Sequence, residues 1–165
     1  MNRDQIMHEA SRFRTAIEAA RDAKEFKPVK PYQREPMTNF PDDCCDDVSI
    51  LLGNYFFEKY GLTSCLITGK HWGEEGPCRG HTWLKVEGFV VDITGDQFEK
   101  ESEFYNFDIP VYVEPKETNM HKCFSERRIE EHCYPIKYRS NDKDMMQEKY
   151  DKVMKYIDLQ DIQGA

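Results

Sequence analysis

The sequence holds no apolar run near the roughly 18–20 residues that a membrane-spanning helix needs. Its opening stretch, MNRDQIMHEASRFRTAIEAARDAKEF, is charged throughout and lacks the apolar centre of a secretory signal. Internal repeats, low-complexity tracts and C-x-x-C pairs are all missing. So is any basic excess: 23 Lys+Arg face 31 Asp+Glu for a net charge of −8, and the densest charged block, DDCCDD at 42–47, is acidic. A protein that tracks phosphates needs a basic face. Nucleic acid and membrane are therefore excluded as expected partners. The expected compartment is the cytoplasm, with delivery into another cell by a route without a cleaved signal left open.

What is present suffices for a folded protein. In 165 residues, 10 Phe, 9 Tyr and 2 Trp supply the large apolar side chains that disordered chains lack. The length fits one domain, 1–165. Cysteines stand at 44, 45, 65, 78, 123 and 133. In a reducing compartment they are expected to be free thiols.

Five regions follow from pattern. An N-terminal helix ends near 26, with Ile6, Ala10, Phe13, Ile17 and Ala20 on one stripe. Residues 27–41 carry Pro28, Pro31, Pro36 and Pro41 and read as an extended connector. The core motif spans 42–98. It begins with a helix from about 45 to 60, capped by Asp42 or Asp43, buried through Val48, Leu51, Leu52, Tyr55 and Phe56, and stopped by Gly61. A strand at 63–68, a Gly-rich loop at 69–80 suited to a mobile flap, and strands at 81–86 and 89–94 complete it. Residues 99–158 hold a strand near 107–113 and a C-terminal helix from about 141 to 158, striped by Met145, Tyr150, Val153, Met154 and Ile157; 159–165 is a polar tail, and 114–140 has no readable pattern. The order predicts an α+β fold with an antiparallel sheet.

The hairpin carries the first chemical signal. A two-residue turn at Glu87-Gly88 puts residue 86 opposite 89, so His81 opposes Thr94 and Trp83 opposes Asp92. These four then share one face, while Thr82, Leu84, Val86, Phe89, Val91 and Ile93 form a core face. His81 and Asp92 become diagonal neighbours, a gap of about 7–8 Å that an imidazole and a carboxylate can close. Cys45, at a helix start, is the second signal: unpaired N–H groups and the helix dipole there favour a thiolate. Thiolate, imidazole and carboxylate make a nucleophilic triad. Asp42, Asp43, Asp46 and Asp47 oppose it unless they point outward or cap the helix.

The segments FPDDCCDDVSILLGNYFFEKYGL and GHTWLKVEGFVVDITGDQF resemble the transglutaminase-like branch of the papain-like cysteine hydrolases, over residues 39–98. The resemblance implies a papain-like fold whose central nucleophile helix packs on the sheet. It implies Cys45 as nucleophile, His81 as general base and acid, and Asp92 as the group that orients His81. Related sequences carry a small residue after the nucleophile; Asp46 departs from that, and Cys44 stays open as the alternative. No cofactor is implied. The expected function is a thiol-dependent hydrolase or acyltransferase (peptidase, amidase, deamidase or transglutaminase-like) acting on a protein, peptide or small amide substrate.

Rival readings attach to the same residues. Cys65 reads as core, and Trp83 as packing or a substrate platform. Gln97 and Asn39 are candidate oxyanion donors, and the acidic block could select cationic substrates. Cys78-x-x-His81 with His71, and His121-x-Cys123 with His132-Cys133, have spacings that a structural zinc could use. Against the enzyme stand a non-catalytic binding module of the same fold and a zinc-stabilised interaction domain.

Overall fold

The computed structural model describes residues 1–28, 34–73 and 78–163. Four helices, α1 (Arg3–Asp22), α2 (Cys45–Tyr60), α3 (Asn119–Cys123) and α4 (Lys143–Gln163), accompany five strands, β1 (Ser64–His71), β2 (Arg79–Val86), β3 (Phe89–Asp92), β4 (Tyr112–Glu114) and β5 (Glu126–His132). All pairings are antiparallel, in the order β4-β3-β2-β1-β5. The α+β class read from the sequence is present.

Local chemistry sets the boundaries. Asn2 and Gln5 form a reciprocal capping box that starts α1. Its stripe of Ile6, Ala10, Phe13, Ile17 and Ala20 is fully buried. Helix α2 begins at Cys45, but neither Asp42 nor Asp43 caps it: Cys44 holds the cap position and makes no side-chain bond to the helix. Gly61, at φ 68°, ends it as expected. Glu87 (φ 51°) and Gly88 (φ 85°) both lie in the left-handed region, the geometry of a two-residue hairpin turn that follows strand twist. The pairs Leu84–Val91, Lys85–Val90 and Val86–Phe89 are in the predicted register.

Several expectations are corrected. The connector contains a 3-10 turn at Pro36–Asn39, and residues 29–33 of it lie outside the described residues. Much of the anticipated loop 69–80 belongs to β1 and β2, which pair out to His71–Arg79; its tip, 74–77, lies outside the described residues. Strand β3 stops at Asp92 instead of running to 94. The Asp92 carboxylate accepts the Thr94 N–H at 2.9 Å and turns the chain into a 3-10 helix at Gly95–Phe98. The strand near 107–113 is reduced to β4 because Pro110 has no N–H for a ladder and gives its carbonyl to Arg14. In α4 the buried methionine is Met146, not Met145, and the helix continues to 163.

Two cores sandwich the sheet. Helices α1, α2 and α4 bury Leu84, Val86, Val91 and Ile93 on one face. The other face is closed by Trp83, Phe98, Phe104, Phe107, Met120 and Phe124. This second layer encloses His81 and Asp92, both buried. Cys65 is only half-buried and packs at the edge of that layer.

Candidate active site

Cys45 opens α2, the first of three residues whose N–H groups precede the first intrahelical bond, Val48 N–H to Cys44 carbonyl. Two contacts bolt this end of the helix to β2: the Ser49 hydroxyl donates to the Thr82 carbonyl at 3.1 Å, and the Thr82 hydroxyl donates to Asp46. Thr82 is the neighbour of His81, so the helix start is fixed beside the imidazole. Cys45 is half-buried and is among the groups that raise the His81 imidazole. Both line a cleft of about 260 Å³ together with Asp46, Lys70, Arg79 and Gln97. A wider, largely acidic groove of about 700 Å³ adjoins it and shares Asp43, Arg79 and Gln97.

The predicted pair is formed. His81 Nε2 donates to Asp92 Oδ2 at 2.7 Å, with the imidazole fully buried and the carboxylate nearly so. Asp92 Oδ1 is occupied by the Thr94 N–H (2.9 Å) and hydroxyl (3.2 Å). Glycine at 95 leaves room for this: a Cβ there would lie 2.8 Å from Asp92 Oδ2 and 2.6 Å from the Phe107 ring. Aromatic rings wall in the imidazole, with Phe98, Phe124 and Trp83 centroids at 5.1, 5.4 and 5.5 Å. Trp83 is thus a buried packing residue and no platform for substrate.

Burial works against a charged His81, but the Asp92 charge and hydrogen bond, and then Cys45, outweigh it and push the imidazole up to about 10. For Asp92, burial raises the carboxyl; the His81 charge and the His121 and His81 contacts overcome it and hold it well below the usual carboxylate range. The sign of the linkage follows. The His81 contribution is complete below the ordinary imidazole value near 6.5 and is lost as pH rises toward about 10. The Asp92 contribution is present above about 3.8 and lost only in acid. Unfolding free energy of the wild type is therefore expected to exceed that of Asp92→Asn most at weakly acidic pH, the difference narrowing from neutral pH upward. Denaturant titrations of both proteins across that range check it; a constant difference would contradict the pairing.

The acidic block is largely neutralised. Asp47 binds the buried Lys149 of α4 at 2.6 Å, Asp43 pairs with Arg34, and Asp46 accepts from Thr82. Asp42 keeps its carboxyl raised, by burial and by the neighbouring charges of Asp43 and Asp96. Cys44, the alternative nucleophile, faces the main core, donates to the Pro41 carbonyl at 3.4 Å and has its thiol pushed far up by burial. It is excluded by position.

Of the two oxyanion candidates, Gln97 reaches the cleft. Its Nε2 donates to the Thr94 carbonyl at 2.9 Å and lies 3.3 Å from His81 Nδ1. Asn39 is exposed and does not line the cleft. Of the anticipated zinc ligands, His81 and His121, one from each group, are brought together; the others are not. His71 bonds Glu103 and the Cys123 carbonyl, Cys78 and His132 are exposed, and Cys133 is in the main core. Among the described residues, the one cluster with ligand atoms close enough for an ion is His81, Asp92 and His121. It is fully buried, and within it His81 and Asp92 are joined by the 2.7 Å hydrogen bond.

Two contributors escaped the sequence reading. His121 was noted only as a possible zinc ligand, yet its Nε2 stands 3.2 Å from Asp92 Oδ2. Arg14 of α1 grips the strand exit, donating to the Ile93 and Pro110 carbonyls at 2.7 and 2.9 Å and to both oxygens of Asp96 at 2.8 Å. The available hint was an arginine directly after Phe13 and three residues before Ile17 of the buried stripe.

No protein-family model, no curated protein and no solved structure matches this chain.

Proposed function

We propose that the chain is a thiol-dependent hydrolase or acyltransferase of the transglutaminase-like, papain-like type, acting on amide bonds of a protein, peptide or small amide. The observation that carries this reading is one arrangement: Cys45 and His81 line the same open cleft, and the far nitrogen of His81 is bonded to the buried Asp92. His81 Nδ1 takes the thiol proton while Asp92 stabilises the imidazolium. The sulfur bonds to the acyl carbon, with the Cys45 N–H at the helix start as the donor for the developing oxyanion. As the C–N bond breaks, His81 returns the proton to the departing amine. Water, or a second amine, then resolves the acyl-enzyme with the same histidine as base. Six free thiols fit the reducing conditions of the cytoplasm.

Iodoacetamide labelling with peptide mapping tests it. In the wild type, rapid modification confined to Cys45 is expected between about pH 6 and 8. His81→Ala should slow that modification by about one to two orders of magnitude. Uniformly slow labelling of all six thiols would sink the triad and favour a binding module.

A further inference from the structure

His121 adjoins the proposed triad without belonging to it. It sits on α3, fully buried, with Nε2 at 3.2 Å from Asp92 Oδ2. Thr118 holds the opposite side of the ring: its backbone N–H donates to Nδ1 at 3.3 Å, and its hydroxyl lies 2.7 Å from the same nitrogen. These contacts belong to the reciprocal cap that starts α3. A ring nitrogen that accepts an N–H carries no proton, so the neutral ring bears its proton on Nε2. That nitrogen lies 3.2 Å from Asp92 Oδ2 without hydrogen-bond alignment, and it has no hydrogen-bond partner among the described residues.

The surroundings leave it no other task. Trp83, Tyr112 and Phe107 rings close on His121 at 5.0, 5.3 and 5.9 Å, and the His81 ring lies 6.2 Å away across Asp92. The titratable groups around it are His81 from β2, Asp92 from β3, Tyr112 from β4, whose ring faces it while the hydroxyl donates to the Lys116 carbonyl, and Glu117 beside Thr118. Glu117 is already taken by Arg128 of β5, at 2.9 Å. An imidazole in such a place carries a desolvation penalty for each nitrogen left unused. A phenyl ring would fill the space without that cost.

We propose that His121 is a positioning residue: it presents Nε2–H to Asp92 Oδ2, and so fixes and keeps ionised the carboxylate on which His81 depends. One carboxylate oxygen then serves two imidazoles. Without the second donor, a buried Asp92 gains proton affinity and rotational freedom, and the charged His81–Cys45 couple weakens first in acid. This inference rests on the triad reading.

The experiment compares His121→Phe and His121→Gln with the wild type, following iodoacetamide modification of Cys45 across about pH 5–8. His121→Phe should slow labelling at the acid end about tenfold and move the acid limb to higher pH. His121→Gln, whose amide still offers an N–H, should recover most of the wild-type profile. Denaturant unfolding of each variant separates lost stability from a moved limb. The wild-type ring tautomer, read by long-range ¹H–¹⁵N NMR, decides the matter even if His121→Phe does not fold, and a proton on Nε2 is expected. A proton on Nδ1, or a His121→Phe profile that superimposes on the wild type while Cys45 labels fast in both, overturns this inference and leaves the triad standing. A wild type whose Cys45 is not selectively labelled overturns the triad and this role with it. One tightly held zinc per chain, lost in His121→Phe, also overturns it, since the three atoms would then be ligands.

Discussion

Cys45→Ala is expected to abolish covalent capture of activated acyl substrates, lowering turnover of any amide or ester substrate by about four orders of magnitude or more. The size follows from the chemistry: alanine removes the thiol that forms the acyl bond in the proposed mechanism. Cys78 lines the same cleft but is exposed and is not among the groups acting on His81. Intact-mass detection of an acyl adduct after exposure to activated esters measures the effect without knowledge of the natural substrate. Cys44→Ala serves as the paired control. It removes one small core side chain, at a cost on the order of 1 kcal/mol, and should leave acyl capture intact. Capture that survives Cys45→Ala and disappears in Cys44→Ala would reverse the assignment.

Asp92→Asn should cost about three to four orders of magnitude in turnover while the fold is retained, its stability deficit being greatest at weakly acidic pH. The hydrogen bonds dictate this. Thr94 presents an N–H and a hydroxyl to Oδ1, so an asparagine must keep its carbonyl there and turn its NH₂ toward His81. His81 Nε2 then becomes an acceptor, its proton moves to Nδ1, and the imidazole can no longer take the Cys45 proton. The reverse amide orientation sets donor against donor at Thr94. Asp92→Leu differs in kind: it leaves the Thr94 N–H and two imidazoles without their buried partner, and a loss of about 3–5 kcal/mol of stability is expected. Turnover and urea unfolding on the two variants separate the effects. An active Asp92→Asn enzyme would remove Asp92 from the mechanism.

The legible parts of the fold were those in which one residue type, or one period, dictates backbone. The α1 stripe, the α2 stripe with its Gly61 stop, and the Glu87-Gly88 turn were each readable because local sterics and burial act within a few residues. From the turn alone came the register, and from the register the shared face of His81, Trp83 and Asp92. Strand β5 had no such signature. Its sequence, ERRIEEH, lies on an exposed sheet edge where charge protects against pairing with other chains, so no hydrophobic alternation exists to be read. The 114–140 region was opaque for that reason, and with it α3 and His121.

Sequence by itself determined which residues have the chemistry and which face they share: a thiol at a helix start, and a His–Asp pair set by a two-residue turn. Tertiary structure alone decided their environment. The layer built from Phe98, Phe104, Phe107 and Phe124 excludes water from the His–Asp pair and strengthens it. Lys149 of α4, Arg34 and Thr82 draw three of the four carboxylates of the acidic block into bonds of their own, and Arg14 clamps the loop that carries Gln97. These partners lie up to a hundred residues from the groups they hold, a separation over which no local pattern carries information. Only closure of the fold brings such charges into range of one another, since their interaction falls off within about 10 Å in water at ordinary salt.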